Sequence, residues 1–440
     1  MTNQLPQRLA RATRIAGALL TVACAGACAI ATPTLVRDPS GARIIIYGAL
    51  PLALALFGLY AVRRPNAAAL SGLVTLGAII VGLYGIELGT LVFFPHRYAR
   101  PYRVLAQPGV RDADTRAPLV VATEMQEHGV DAVPRLYRPY FRQVAGASGI
   151  RPLSGVSGVL TVMCAEDGRY RTYKSDRFGF SNPDSVWNSA ADVVILGDSF
   201  MLGECVDPSM TVAAQLRTRG VHATSLGVSG NGPLSELATL IEFGSLARPK
   251  TVVWVYYEGN DLADLANELS DSVLVSYLAS GTPRSVAMRQ PQVDSLLRAA
   301  IAADQREYRA YLSAPFARAR FTLLLKSTRS KLMLPELKRI GDPSTGCVVD
   351  STFERVLVAG RDAARRLGAE FRFAYLPTDA RDADKCSREA SVTRPQVLAL
   401  VKRLGIQVTD LEELRTAEFW RFRGSHMNER GYGRVADALR

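Results

Sequence analysis

Before about residue 95 the chain is dominated by apolar positions, gathered in three runs: Ile15 to Val36, Ile44 to Val62, and Ala67 to Phe94. Each approaches or exceeds the roughly 20 residues that carry a helix across a hydrocarbon core of about 30 Å. The pattern predicts a membrane anchor of three transmembrane helices over residues 1–100. The first run has a competing reading as a cleaved signal peptide, because Arg8, Arg11 and Arg14 precede it and Ala27-Cys28-Ala29 resembles a cleavage site. It continues apolar well past that site, and two more runs follow, which favours the anchor. Glu87 lies within the third run about two turns from its end, where pairing with a nearby Arg at the interface is expected.

Beyond residue 100 the rhythm changes. Residues 101–190 mix Pro, Gly and Arg without a long helical period and predict an irregular, β-rich lead-in that ends in the turn-rich stretch Asp176 to Pro183. From 191 to 440, short apolar runs alternate with amphipathic ones. Strands are expected at Asp192–Leu196, Ala223–Leu226, Thr251–Tyr257, Phe371–Leu376 and Ile406–Thr409. Helices are expected at Thr211–Arg217, Leu234–Phe243, Phe353–Leu367, Gln396–Leu404 and Glu429–Leu439. Such alternation implies an α/β fold, a parallel sheet covered by helices on both faces. The stretch from about 265 to 341 breaks the alternation and reads as a helical insertion, a candidate lid or substrate-facing subdomain.

Charge and cysteines add a location. The net charge of +12 has no long basic block, which points to a basic surface near anionic lipid or an acidic polymer rather than to nucleic-acid binding. Arg8, Arg11, Arg14, Arg63 and Arg64 on one side of the expected spans nearly balance Arg37, Arg43, Arg97, Arg100 and Arg103 on the other. The positive-inside rule therefore does not fix the orientation. Of six cysteines, Cys24 and Cys28 fall in the first run, leaving Cys164, Cys205, Cys347 and Cys386. Four cysteines allow three pairings, and the order of elements favours Cys347 with Cys386 and Cys164 with Cys205; four reduced thiols are the alternative. Disulfides would place this part in an oxidising compartment. Three spans with a cytoplasmic N-terminus agree with that: a multi-pass inner-membrane protein with its C-terminal domain in the periplasm or cell exterior. The four histidines and the globular cysteines lack metal-ligand spacing, so neither metal nor cofactor is expected.

In an open parallel sheet the site lies at the carboxyl ends of the strands. Three expected strands end in unusual loops: Gly197-Asp198-Ser199-Phe200, Gly227-Val228-Ser229-Gly230-Asn231-Gly232, and Gly259-Asn260-Asp261. A fourth segment, His426-Met427-Asn428-Glu429-Arg430-Gly431, opens the last helix. These four blocks, in this order, resemble the SGNH superfamily of GDSL-type hydrolases over about residues 190–440. The resemblance implies a three-layer, flavodoxin-like parallel sheet. It also implies Ser199 as nucleophile and His426 as the base that takes its proton. The backbone N–H groups of Ser199 and Gly230 and the amide of Asn260 would hold the oxyanion.

The family usually carries an Asp three residues before the His, where it orients the imidazole; here that position is Arg423. A dyad oriented by a backbone carbonyl, an acid supplied from elsewhere such as Asp410 or Glu413, and a site that binds without turnover all remain open. The expected reaction is removal of O-acyl, chiefly acetyl, groups from a carbohydrate, since membrane-tethered SGNH domains with a similar lead-in often serve bacterial polysaccharide O-acetylation or deacetylation. The alternatives are O-acetyl transfer from the same site with a membrane acyltransferase partner, a lipase, and a noncatalytic carbohydrate-binding scaffold of an export complex.

Overall fold

A computed structural model describes residues 4–37, 49–93, 114, 116–313, 347–381, 385–422 and 425–440. They fall in two compact units, one up to residue 93 and one from residue 114 onward. Arg423, residues 44–48 of the second expected span, residues 314–341 of the expected insertion and the side chain of Glu87 lie outside this description.

The first unit is helical: α1 (Gln7–Arg37), α2 (Leu50–Arg63) and α3 (Ala67–Phe93). Two stretches, Gln7–Gly26 and Ala67–Gly85, are long and apolar enough to cross a membrane. The 14 described residues of α2 span roughly 21 Å at about 1.5 Å per residue, short of a hydrocarbon core. Of the three expected spans, two are thus long and apolar enough among the described residues. Helices α1 and α2 pack through Gly17 and Gly58, where a Cβ on either would lie 2.6 Å from the other's carbonyl oxygen. Such backbone approach at small residues suits helix pairing in lipid.

The second unit opens with α4 (Pro118–Glu127), β1 (Ala132–Pro134), α5 (Arg138–Ser148), β2 (Leu160–Val162) and β3 (Thr172–Lys174). The lead-in is thus more helical than its composition suggests. Both helices have Pro in the first turn, which costs them no internal hydrogen bond. Its residues Val133, Phe141, Ile150, Phe180 and Trp187 share one hydrophobic core with the main sheet.

That sheet contains β4 (Val193–Leu196), β5 (Ala223–Ser225), β6 (Thr251–Tyr257), β7 (Glu370–Leu376) and β8 (Gln407–Asp410). Its order is β5-β4-β6-β7-β8, with every neighbouring pair parallel. This is the flavodoxin-like 2-1-3-4-5 order, whose switch point lies between the first and third strands, here β4 and β6. Val194, Leu196, Trp254 and Tyr256 belong to one core, and Val193, Ile195, Val253 and Val255 to another. Alternating side chains thus feed the two faces of the sheet.

The helices that follow are α6 (Ser199–Leu202), α7 (Val212–Thr218), α8 (Pro233–Ala247), α9 (Asp261–Glu268), α10 (Ser272–Ser280), α11 (Gln290–Ser313), α12 (Ser351–Arg366), α13 (Lys385–Arg403) and α14 (Glu429–Ala438). Helices α8 and α12 cover the first face, and α7 and α14 the second. The described part of the expected insertion packs on the rest of the second unit. Its longest helix, α11, is fastened to the lead-in: Asp294 accepts from the Ser157 N–H at 3.0 Å, and Arg298 donates to both carboxylate oxygens of Asp131 at 2.9 Å.

Candidate active site

Strand β4 ends at Leu196, and the chain turns through Gly197 and Asp198 into α6, whose first residue is Ser199. Asp198 caps this helix, its carboxylate accepting from the Phe200 N–H at 2.9 Å. Burial raises the Asp198 pKa, against the opposing hydrogen bond from Phe200 and the charge of His426. The turn places Ser199 at the carboxyl edge beside the switch point.

The loop after β5 packs directly against α6. A Cβ on Gly227 would lie 2.4 Å from the Leu202 nitrogen, so only glycine admits this approach. Val228 N–H donates to the Gly197 carbonyl at 3.3 Å, tying the Gly227–Gly232 loop to the turn that presents Ser199. Further along, Glu268 accepts from the N–H groups of Gly232 and Leu234 at 2.8 and 2.9 Å, so that a carboxylate holds the amino end of α8. Gly230 has a φ of +74°. Asn260 follows β6, and its amide donates to Asp198 at 3.4 Å, next to Ser199.

His426 arrives from the opposite end of the chain. Ser425 Oγ donates to the Phe422 carbonyl and accepts from the Phe422 N–H, and Asn428 caps α14 by accepting from Gly431 N–H at 3.1 Å. The ring lies 5.0 Å from that of Phe200, centroid to centroid. Its Nε2 is 2.9 Å from Ser199 Oγ.

The carboxylate on the far side of the ring is Glu166, from the lead-in. Its Oε1 lies 2.7 Å from His426 Nδ1, and its Oε2 accepts from the His426 backbone N–H at 3.2 Å. An ionised carboxylate can only accept, so Nδ1 carries the proton and Nε2 is left to accept from Ser199 in the neutral ring. Burial opposes ionisation of Glu166, but the charge of His426 and its hydrogen bonds hold the carboxyl below the ordinary glutamate range. Neither residue suggested as orienter by the sequence reaches the imidazole. Asp410 is paired with Arg394, and Glu413 lies 3.7 Å from Arg434.

A second carboxylate borders the site. Glu204 follows α6, its N–H donating to the Ser199 carbonyl at 2.9 Å. The residue is 2% exposed. Its Oε1 is paired with Arg135 of the lead-in, which also donates to Ser229 Oγ at 3.1 Å. Its Oε2 lies 4.0 Å from His426 Nε2.

Two disulfides join Cys164 to Cys205 and Cys347 to Cys386, with Cα separations of 5.4 and 5.5 Å. The first fastens the segment bearing Glu166 to the loop bearing Ser199 and Glu204. That pairing was the available signal for Glu166: an acid two residues from a cysteine bonded to Cys205 must lie near Ser199. Glu204, beside Cys205 and five residues after Ser199, carried the same mark; Arg135 carried none.

No family model matches the chain, and no curated protein matches it. Among solved structures it is similar to a protein from Desulfitobacterium hafniense DCB-2 described as lipolytic and of the G-D-S-L family. The two are 13% identical, the match covers 56% of this chain and 96% of that one, and the TM-score is 0.31. At that level the likeness carries no inference about chemistry.

Proposed function

We propose that this chain is a serine esterase that removes O-acyl groups, chiefly acetyl, from a carbohydrate outside the cytoplasm. The observation that carries the proposal is the relay from Glu166 through His426 to Ser199, with contacts of 2.7 and 2.9 Å. Such a relay answers the chemical need of an alcohol nucleophile, which requires a base, and of the base, which requires a partner for the charge it acquires. The Ser199 backbone N–H, Gly230 and the Asn260 amide are the proposed oxyanion donors. Glu166 supplies the acid that Arg423 does not, which supports the catalytic reading over the noncatalytic scaffold.

The carbohydrate substrate rests on the four SGNH blocks and on two apolar helices compatible with a membrane tether. Disulfides agree with an oxidising compartment. The test is to incubate the full-length protein in detergent with an aryl acetate. Turnover is expected, with an acyl adduct on Ser199 that S199A cannot form. Wild-type protein showing neither would overturn the assignment.

A further inference from the structure

Glu204 is a buried carboxylate at the site that the relay does not use. Its Oε1 is occupied by Arg135, which fixes the carboxylate in place. Its Oε2 is buried and, among the described residues, has no hydrogen-bond partner. A carboxylate oxygen withdrawn from water without a donor is costly, and this one faces the reacting edge of the imidazole at 4.0 Å from Nε2.

The separation has a simple geometric meaning. One oxygen atom placed about 2.8 Å from both Oε2 and Nε2 sees them at roughly 90°, near the angle between the two O–H bonds of water. In the resting chain Nε2 is engaged by the Ser199 hydroxyl. Once Ser199 Oγ is esterified that hydroxyl is gone, and Nε2 is free to accept from a second donor.

We infer that Glu204 holds the water that deacylates Ser199, and so commits the site to hydrolysis rather than acyl transfer. This rests on the esterase reading above. In the step, the water oxygen attacks the acyl carbon while one of its protons passes to His426 Nε2 and the other stays hydrogen-bonded to Glu204 Oε2. The bond between the acyl carbon and Ser199 Oγ then breaks, the Nε2 proton returns to Oγ, and the free acid leaves. A simple alcohol has a single hydroxyl proton, which Nε2 must take. It leaves Oε2 unsatisfied, and it is disfavoured by the cost of that orphaned acceptor.

E204Q is the test, because it keeps the size of the side chain. Its amide oxygen can still accept from Arg135, which turns the NH2 group, a donor, toward the place of the water. The full-length protein is given 4-nitrophenyl acetate with a fixed concentration of methanol, and methyl acetate and acetate are measured as products. That ratio is set at the acyl-enzyme, whichever step limits turnover. We expect E204Q to raise the ratio of methyl acetate to acetate, and to slow hydrolysis on the order of tenfold or more through misplaced water. E204D, which shortens the reach but keeps the acceptor, should fall between the two. Active E204Q with an unchanged ratio overturns the inference even if its rate falls, since a merely structural role would slow both products together. Failure of the esterase reading looks different: the wild type would give neither product in a Ser199-dependent way.

Discussion

His426 stands between two carboxylates of different origin, Glu166 at Nδ1 and Glu204 near Nε2. They are not interchangeable, because only Glu166 fixes the tautomer. Replacing it by Gln removes the charge that stabilises the imidazolium and allows the amide to select the wrong ring proton. We expect E166Q to lower kcat/KM on the order of 100- to 10,000-fold, measured with an aryl acetate, with E166D retaining part of the activity. The depressed pKa of Glu166 also bears on stability. Its contribution is present above the ordinary glutamate value of about 4.3 and fades as pH falls through the lower folded-state value, so E166Q should unfold with a weaker acid dependence than wild type. Ser199, Asn260 and His426 could be read from the chain because each stands in a block at a strand end or helix start. Glu166 could be reached only through the pairing of Cys164 with Cys205, since 260 residues separate it from His426 and no spacing rule joins them.

The five strands of the main sheet were visible because each is a short β-branched or aromatic run bounded by polar turns, and Thr251–Tyr257 matches its predicted bounds. The helices of the lead-in were hidden for the opposite reason. In α4 the buried residues Leu119 to Thr123 are contiguous rather than spaced at helical intervals. Helix α13 runs well ahead of its expected start because Pro395 lies inside it and interrupts the pattern. At this scale the carboxyl end of β6 depends on Glu258, which accepts from Arg415 Nη1 and Nη2 at 2.7 Å each and from the Tyr375 hydroxyl at 2.6 Å. Burial opposes its ionisation, and the hydrogen bonds from Arg415 and Tyr375 more than offset that, holding its pKa low. Removing one member of a buried pair strands the other. E258A should therefore cost about 3–5 kcal/mol, read as a lower denaturation midpoint, with activity falling as the Asn260 loop loosens.

For the whole molecule, two apolar helices precede a unit in which lead-in and sheet share one core. Residues 116–190 are therefore a structural part of the second unit and carry Glu166, the proposed acid of the site. The sequence suggested a boundary near 190 because composition changes there. Composition reports local propensity, whereas shared burial depends on contacts made far along the chain. Any truncation that begins at residue 191 discards Glu166, Arg135 and Cys164 together.

The bond between Cys164 and Cys205 links the acid of the site to the loop of its nucleophile, and it can close only where thiols are oxidised. A newly made chain with both thiols reduced would carry its serine and histidine before the carboxylate is covalently secured beside them. Closing a loop with a sequence separation of 41 residues is worth about 3–4 kcal/mol in the chain-entropy model. The C164A/C205A double variant should thus lose stability by a similar amount, and dithiothreitol should lower wild-type turnover by a larger factor than the variant's residual activity, since both keep the bond between Cys347 and Cys386. A rate indifferent to reductant would show that the other contacts of the lead-in suffice. With the bond as a condition of full activity, the proposed esterase would stay largely silent until its thiols are oxidised, and acyl esters in a reducing compartment would be spared.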